Sequence, residues 1–208
     1  MGLRILAHRG LWREKAEQNR PAALLGALEM GFGLETDLRD LQGRVAISHD
    51  MADATSATLA ELAQQLAAMS GPDRPLALNI KADGLALALA DWARPLADRL
   101  FFFDMSVPDL RQYLRLGLPC FTRHSDVETV PSYYDPAVGV WLDEMEREWL
   151  TAEVVAEHLA AGKRVAIVSG ELHRRDHHRS FELARRFRDE PGVMVCTDHP
   201  QALREFLA

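Results

Sequence analysis

Cysteine is scarce in this chain of 208 residues: there are two, Cys120 and Cys196. They lie far apart in apolar runs and without metal-ligand spacing, which excludes a disulfide framework and a cysteine-based zinc centre and leaves two buried thiols. No apolar run approaches the roughly 20 residues of a membrane-spanning helix, and the N-terminal MGLRILAHRG has too short an apolar core for a secretory signal. A cytoplasmic protein without stable membrane insertion is therefore expected. An excess of basic residues is also missing. Lys and Arg number 24 against 31 Asp and Glu, a formal charge of -7. The surface at large repels polyanions, so nucleic acid is not an expected partner, and any anionic ligand must be caught by a local cluster. Linkers, low-complexity segments and repeats are absent. What remains is 48% hydrophobic and 26% charged, ordinary for a soluble globular protein and enough for one large core, so residues 1–208 are read as a single domain.

Short apolar runs rich in β-formers recur at 4–7, 33–38, 45–48, 76–80, 99–103, 119–122, 138–142, 164–169 and 193–197. Most are almost continuously hydrophobic, as strands buried on both faces are. Between them lie helical patterns with readable ends. Asn19 and Pro21 open a segment that Gly31 stops, Thr58 with Glu61 has capping-box spacing, and Thr151 precedes a helix that Gly162 ends. Further helices are expected at about 83–97, with a kink or early end at Pro95, and at 107–116, 180–188 and 200–207. The stretch 124–136, with Pro131, Tyr133, Tyr134 and Pro136, reads as irregular loop. Gln42 and Gly43 make a turn that pairs 45–48 with 33–38 as a hairpin, which leaves eight strand positions. That is the count of a single (β/α)8 TIM barrel without a large insertion domain; a doubly wound open sheet has the same alternation.

In a parallel barrel, reacting groups gather at the carboxyl ends of the strands. His8 and Arg9 follow the first run, His49 and Asp50 the hairpin, Lys81 the next, and then Asp104, Asp143 with Glu144, Glu171 with His173, and Asp198. Glu35 and Asp37, two apart in a strand, face the same way. If that face is the lumen, a hard divalent cation offsets their repulsion; otherwise they are surface carboxylates bonded to Arg39 or Arg44. His8 and His49 suit a general acid and a general base, and Arg9 suits a phosphate, to which its fork can donate two hydrogen bonds. The run LHRRDHHRS at 172–180 follows the seventh strand position, where barrels often bind phosphate, and also reads as a solvated loop. Trp141, Tyr133 and Tyr134 are candidates for a pocket wall or for packing.

AHRG at 7–10, Asn19, ETD at 35–37, HD at 49–50 and the closing TDHP at 197–200 together resemble the signature of the glycerophosphodiester phosphodiesterase family of TIM-barrel enzymes. The resemblance implies metal-assisted hydrolysis of a small-molecule phosphodiester, with release of an alcohol and a phosphomonoester such as glycerol 3-phosphate. His8 and His49 are then the acid and base, Glu35 and Asp37 hold Mg2+ or Ca2+, and Arg9 contacts the phosphate. Three departures stand out. LALNIK places Asn79 where the family has a third acidic ligand, and keeps Lys81 as a substrate contact; Asp104 at the next strand end is the candidate replacement carboxylate. Gln18 stands at a usually acidic position. The short interval from HD to LALNIK leaves room for one helix and no insertion, consistent with a more open site and a bulkier lipid- or polysaccharide-linked diester. The rival expectation is a weakly catalytic or non-catalytic barrel that binds phosphodiesters.

Overall fold

The computed structural model describes residues 2–208. The strands are β1 (Arg4–His8), β2 (Gly33–Leu41), β3 (Arg44–Ile47), β4 (Leu76–Ile80) and β5 (Leu100–Phe103), followed by β6 (Phe121–Ser125), β7 (Gly139–Asp143), β8 (Arg164–Val168) and β9 (Val193–Thr197). One sheet takes them in the order β5-β4-β2-β1-β9-β8-β7-β6, with β3 antiparallel on the end of β2. The pairings along the path are parallel. The two ends of the path meet through a parallel bridge between Phe102 and Cys120 and the bond from Phe102 N–H to the Pro119 carbonyl at 2.9 Å. The result is a nearly closed eight-stranded (β/α)8 barrel, and the open-sheet alternative falls away. Among the described residues no helix is long and apolar enough to cross a membrane.

Helices α1 (Pro21–Glu29), α2 (Leu59–Met69), α3 (Ala86–Ala93), α4 (Val107–Arg115), α5 (Ala152–Ala160), α6 (His178–Arg186) and α7 (Pro200–Leu207) surround the strands. Their ends follow local chemistry. The Glu61 carboxylate accepts the Thr58 N–H at 2.7 Å, and the Thr151 hydroxyl accepts the Val154 N–H. Gly31 and Gly162 take φ of +82° and +75° just past α1 and α5, a conformation that costs glycine little. Pro95 does end α3 early, in a short 3-10 turn. The hairpin turn is the pair Gln42 and Gly43, both at positive φ, whose twist matches antiparallel strands. No helix covers β6 to β7, as the proline-rich stretch there implies.

Alternation along each strand separates two kinds of core. Leu6, Phe101, Phe103, Phe121, Trp141 and Met194 point into the lumen, where Phe101 stacks on Phe121 at 3.7 Å and Phe103 on Trp141 at 3.9 Å. Leu78, Ile80, Val165 and Val195 point outward against the helices. The lumen is therefore filled, not open, and Trp141 belongs to its packing. Tyr133 is exposed and Tyr134 bonds outward to His158, so the three aromatics do not form one wall. β6 begins and ends later than the apolar run 119–122 suggests. Its polar half is satisfied by partners on both sides: Arg123 meets Asp104 inside, and His124 meets His158 outside.

Candidate active site

The polar residues of β1, β2 and β4 stand on this aromatic floor at the carboxyl end of the barrel. His8 ends β1, and its Nδ1 lies 2.6 Å from Asp198 Oδ1, just beyond β9. Because a carboxylate only accepts, Nδ1 carries the hydrogen and Nε2 is left to take or deliver a proton. That Nε2 lies 3.9 Å from Glu35 Oε2, and His8 and Glu35 are register partners across β1 and β2. Asp198 is itself fixed: Glu171 accepts its backbone N–H at 3.0 Å and also the Thr197 hydroxyl.

Glu35 and Asp37 both face this end and both are buried, at 1% and 0% exposure, so they are not the surface pair with Arg39 or Arg44. Burial raises the Glu35 pKa, and the Asp37 charge raises it further, against the opposing pull of His8, Arg9 and Lys81. Asp37 sits between two cations and one hydrogen-bond donor, the Asn19 amide. Arg9 Nε is 2.9 Å and Asn19 Nδ2 2.8 Å from Oδ2, and Lys81 Nζ is 3.6 Å from Oδ1. Arg9 and Asn19 reach it through left-handed backbone, φ +56° and +60°, which non-glycine residues adopt at a cost. Asn19 does not cap α1; Arg20 holds that position. Its side chain accepts the Thr36 hydroxyl at 2.7 Å and donates to Asp37, a positioning role that its place before Pro21 does not announce. Gln18, at the departed acidic position, accepts from the Arg9 guanidinium at 3.3 Å. Gly10 turns the chain over α1 at φ +92°, where an added Cβ would come within 2.5 Å of the Ala23 backbone.

His49 occupies a different setting. It lies on the loop after β3 with its side chain 45% exposed, and its Nδ1 is 2.8 Å from Asp50 Oδ1. The structure joins it to the rest through a cavity of about 270 Å³ lined also by Arg9, Gln18, Asn19 and Ser48. Ser48 N–H bonds to the Asp37 carbonyl, which ties that loop to β2. No hydrogen bond or ion pair links the His8 and His49 rings, and His8 does not line that cavity.

Oxygen donors of the kind that hard cations take are present. Asp37 Oδ1 and Asn79 Oδ1 are buried without hydrogen-bond partners, and the two residues are register neighbours across β2 and β4. With Glu35 they fit a divalent cation in kind, with two carboxylates and an uncharged amide. Asp104 does not join them: at φ +72°, it faces Lys81 Nζ at 3.4 Å and the Arg123 guanidinium. Consistent with that, no three His, Cys, Asp or Glu side chains converge for a metal among the described residues.

The 172–180 run is mainly structural. Arg175 donates to the carbonyls of Glu144 and Met145, and Arg179 to the buried Glu144 carboxylate. Leu172 packs against the lumen core, and His173 Nε2 lies 2.6 Å from Asp143 Oδ1. Cys120 and Cys196 are free and buried, and burial pushes the Cys120 thiol up to about 12.

Solved structures share this arrangement of chain. A glycerophosphodiester phosphodiesterase from Parabacteroides distasonis is similar at TM-score 0.64 and 18% identity, over 99% of this chain and 97% of that one. The glycerophosphoryl diester phosphodiesterase domain of a Mycobacterium tuberculosis protein gives 0.67 and 17%, covering all of both. A phosphodiesterase from Oleispira antarctica, solved with its product sn-glycerol-3-phosphate, gives 0.61 and 17%, over 99% and 97%. The fold is that of glycerophosphodiester phosphodiesterases. No protein-family model matches the chain, and no curated protein matches it.

Proposed function

We propose that the protein is a metal-dependent phosphodiester hydrolase acting on glycerophosphodiester-like substrates. The observation that carries this reading is His8, held by Asp198 and set beside the buried Glu35 and Asp37 where β1 and β2 end, in a fold shared with glycerophosphodiester phosphodiesterases.

Glu35, Asp37 and the Asn79 carbonyl would hold a Mg2+ or Ca2+ ion. When bound, the cation would offset charge on the phosphoryl oxygens. The chain's own groups do the rest. Arg9 and Lys81, both partly exposed and already aligned by Asp37, bind the phosphate and keep its oxygens oriented. His8 exchanges a proton at Nε2 while Asp198 stabilises the imidazolium that forms. His49 serves the other proton: one ring takes it from the attacking water and the other gives one to the leaving alcohol, so that the P–O bond to the alcohol breaks as the bond to water forms and a phosphomonoester such as glycerol 3-phosphate remains.

The test is hydrolysis of glycerophosphocholine and of an aryl phosphodiester with Mg2+, with Ca2+ and with chelator. Turnover should vanish on chelation and in His8→Ala and His49→Ala. Activity surviving in both variants would refute the proposal. A second reading, a barrel that binds diesters with little turnover, is favoured by one observation: Asn79 brings no charge, while Arg9 and Lys81 already neutralise Asp37. Binding of the diesters without turnover in any cation would select it.

A further inference from the structure

Lys81 stands between two carboxylates on the carboxyl rim, and it serves them differently. Its backbone N–H bonds to the Leu38 carbonyl at 2.9 Å, which seats the residue just past β4. Its Nζ donates to Asp104 Oδ2 at 3.4 Å. From Asp37 Oδ1 the same Nζ lies 3.6 Å away, and that oxygen is buried with no hydrogen-bond partner. The ammonium is therefore drawn toward Asp104 and stops short of the oxygen that, with Asn79, suits a hard cation.

Asp104 is fixed from two sides. It takes φ +72°, a left-handed backbone that costs a non-glycine residue free energy and persists where the surroundings impose it. On one side, the Ser106 hydroxyl donates to Asp83 Oδ2 at 2.5 Å and the Gly84 N–H to Asp109 Oδ1 at 3.2 Å. The chain just after Asp104 is thereby tied to the chain just after Lys81. On the other side, the Arg123 guanidinium pairs with Asp104 Oδ1, which orients the carboxylate and leaves Oδ2 for Lys81. Arg123 comes from β6, across the seam that the Phe102–Cys120 bridge closes, and Glu128 accompanies it 3.9 Å from Nε. Without the Asp104 charge, the nearest carboxylate for the ammonium is Asp37, where it would occupy the place of a cation.

We infer that Asp104 is a positioning residue: held by Arg123 across the barrel seam, it keeps Lys81 off Asp37 Oδ1, so that this oxygen stays open to a divalent cation. The other ammonium N–H groups are left for a phosphate oxygen. The inference rests on the metal-dependent hydrolase reading. It makes Asp104 neither a metal ligand nor a catalytic residue, because its effect passes through Lys81.

A double-mutant cycle tests it, with Asp104→Asn as the first variant because asparagine also accepts left-handed backbone at nearly unchanged volume. Mg2+ is titrated calorimetrically, without substrate, into wild type, Asp104→Asn, Lys81→Met and the double variant. Asp104→Asn should weaken Mg2+ by about tenfold, an ordinary coupling for charges in contact, and by less than about twofold in the Lys81→Met background, which has no ammonium to release. Equal weakening in both backgrounds would mean that the Asp104 charge acts on the cation directly, and overturns the inference. Unchanged affinity in both, or no Mg2+ binding by any of the four proteins, overturns it as well. Should urea unfolding show that Asp104→Asn does not fold, Asp104→Gly, which relieves the left-handed backbone, takes its place with the same expectations. Hydrolysis of glycerophosphocholine by the same proteins separates this inference from the reading it rests on. Turnover by wild type without the coupling sinks the inference alone; the coupling without turnover of any diester sinks the hydrolase reading alone.

Discussion

Hydrogen-bonded histidines occur in two regions of this barrel with opposite consequences. At the mouth, His8 and His173 each give a ring nitrogen to a carboxylate, Asp198 and Asp143, at 2.6 Å. On the outer wall, between β6 and α5, His158 Nε2 faces His124 Nδ1 at 3.0 Å and its Nδ1 meets the Tyr134 hydroxyl at 2.8 Å. A carboxylate stabilises an imidazolium, whereas a second imidazole accommodates one proton between two rings and repels the next. Burial, followed by the nearby His124, lowers His158 to about 4, and burial lowers His124 while Glu157 opposes it. The same residue type is thus paired with a carboxylate at the mouth, where His8 also lies beside Glu35, and kept neutral on the outer wall, where it packs between β6 and α5.

The largest expected effect breaks the mouth pair. His8→Ala should reduce phosphodiester turnover by about 10²–10⁴-fold. Asp198→Asn keeps the size of the partner and removes its charge, so it should lower kcat by more than about tenfold with little change in KM. An unchanged kcat in Asp198→Asn would reduce that carboxylate to a structural bond and erase the contrast with the wall.

The wall pair should be read by stability, not activity. The folded-state pKa of His158 lies below its unfolded value of about 6.5, so the unfolded chain binds more protons between the two. Its contribution is fully present above that unfolded value and is lost as pH falls toward 4. Urea unfolding of wild type should show a loss of about 1–2 kcal/mol from this site across that window, allowing for solvent screening. In His158→Phe the slope over the same window should flatten. An unaltered slope would show that other groups govern acid sensitivity.

A smaller effect sharpens the electrostatics of the mouth. Asn79→Asp adds charge beside the orphan Asp37 oxygen without adding volume, and should tighten Mg2+ by about tenfold, or 1.4 kcal/mol. Calorimetric titration without substrate reads this directly. Weaker binding would mean that Lys81, not a cation, is the intended partner of that oxygen.

Much of this was legible in the sequence, because strand burial and turn chemistry are local. Nine β-rich runs, the Gln42-Gly43 hairpin that reduces them to eight barrel positions, the Thr58 and Thr151 starts and the missing helix after β6 all follow from side-chain pattern. Glu35 and Asp37 facing one side follows from the two-residue period alone. Less visible were groups defined by closure of the barrel. Asp198 reaches His8 because β9 closes against β1, 190 residues away in the chain. Asp104 stands at a strand end, as metal ligands do, yet two cations claim it, and nothing local to FFFDM reveals Arg123 across the seam. The polar end of β6 reads as loop for the same reason: its partners belong to other elements.

The smallest predicted effect concerns Glu171, which touches neither histidine. Its carboxylate accepts the Ser169 hydroxyl, the Thr197 hydroxyl and the Asp198 N–H, and so fixes the strand end that carries the partner of His8. Glu171→Gln keeps the shape but replaces one acceptor oxygen with a donor, which sets an N–H against groups that donate. About 1 kcal/mol of misplacement would lower kcat by about fivefold, with KM little changed. A purely structural role would lower the midpoint of urea unfolding and leave kcat of the folded fraction alone. The Glu171→Gln variant therefore tests whether the mouth pair depends on a preset geometry, whereas the wall pair depends only on staying dry.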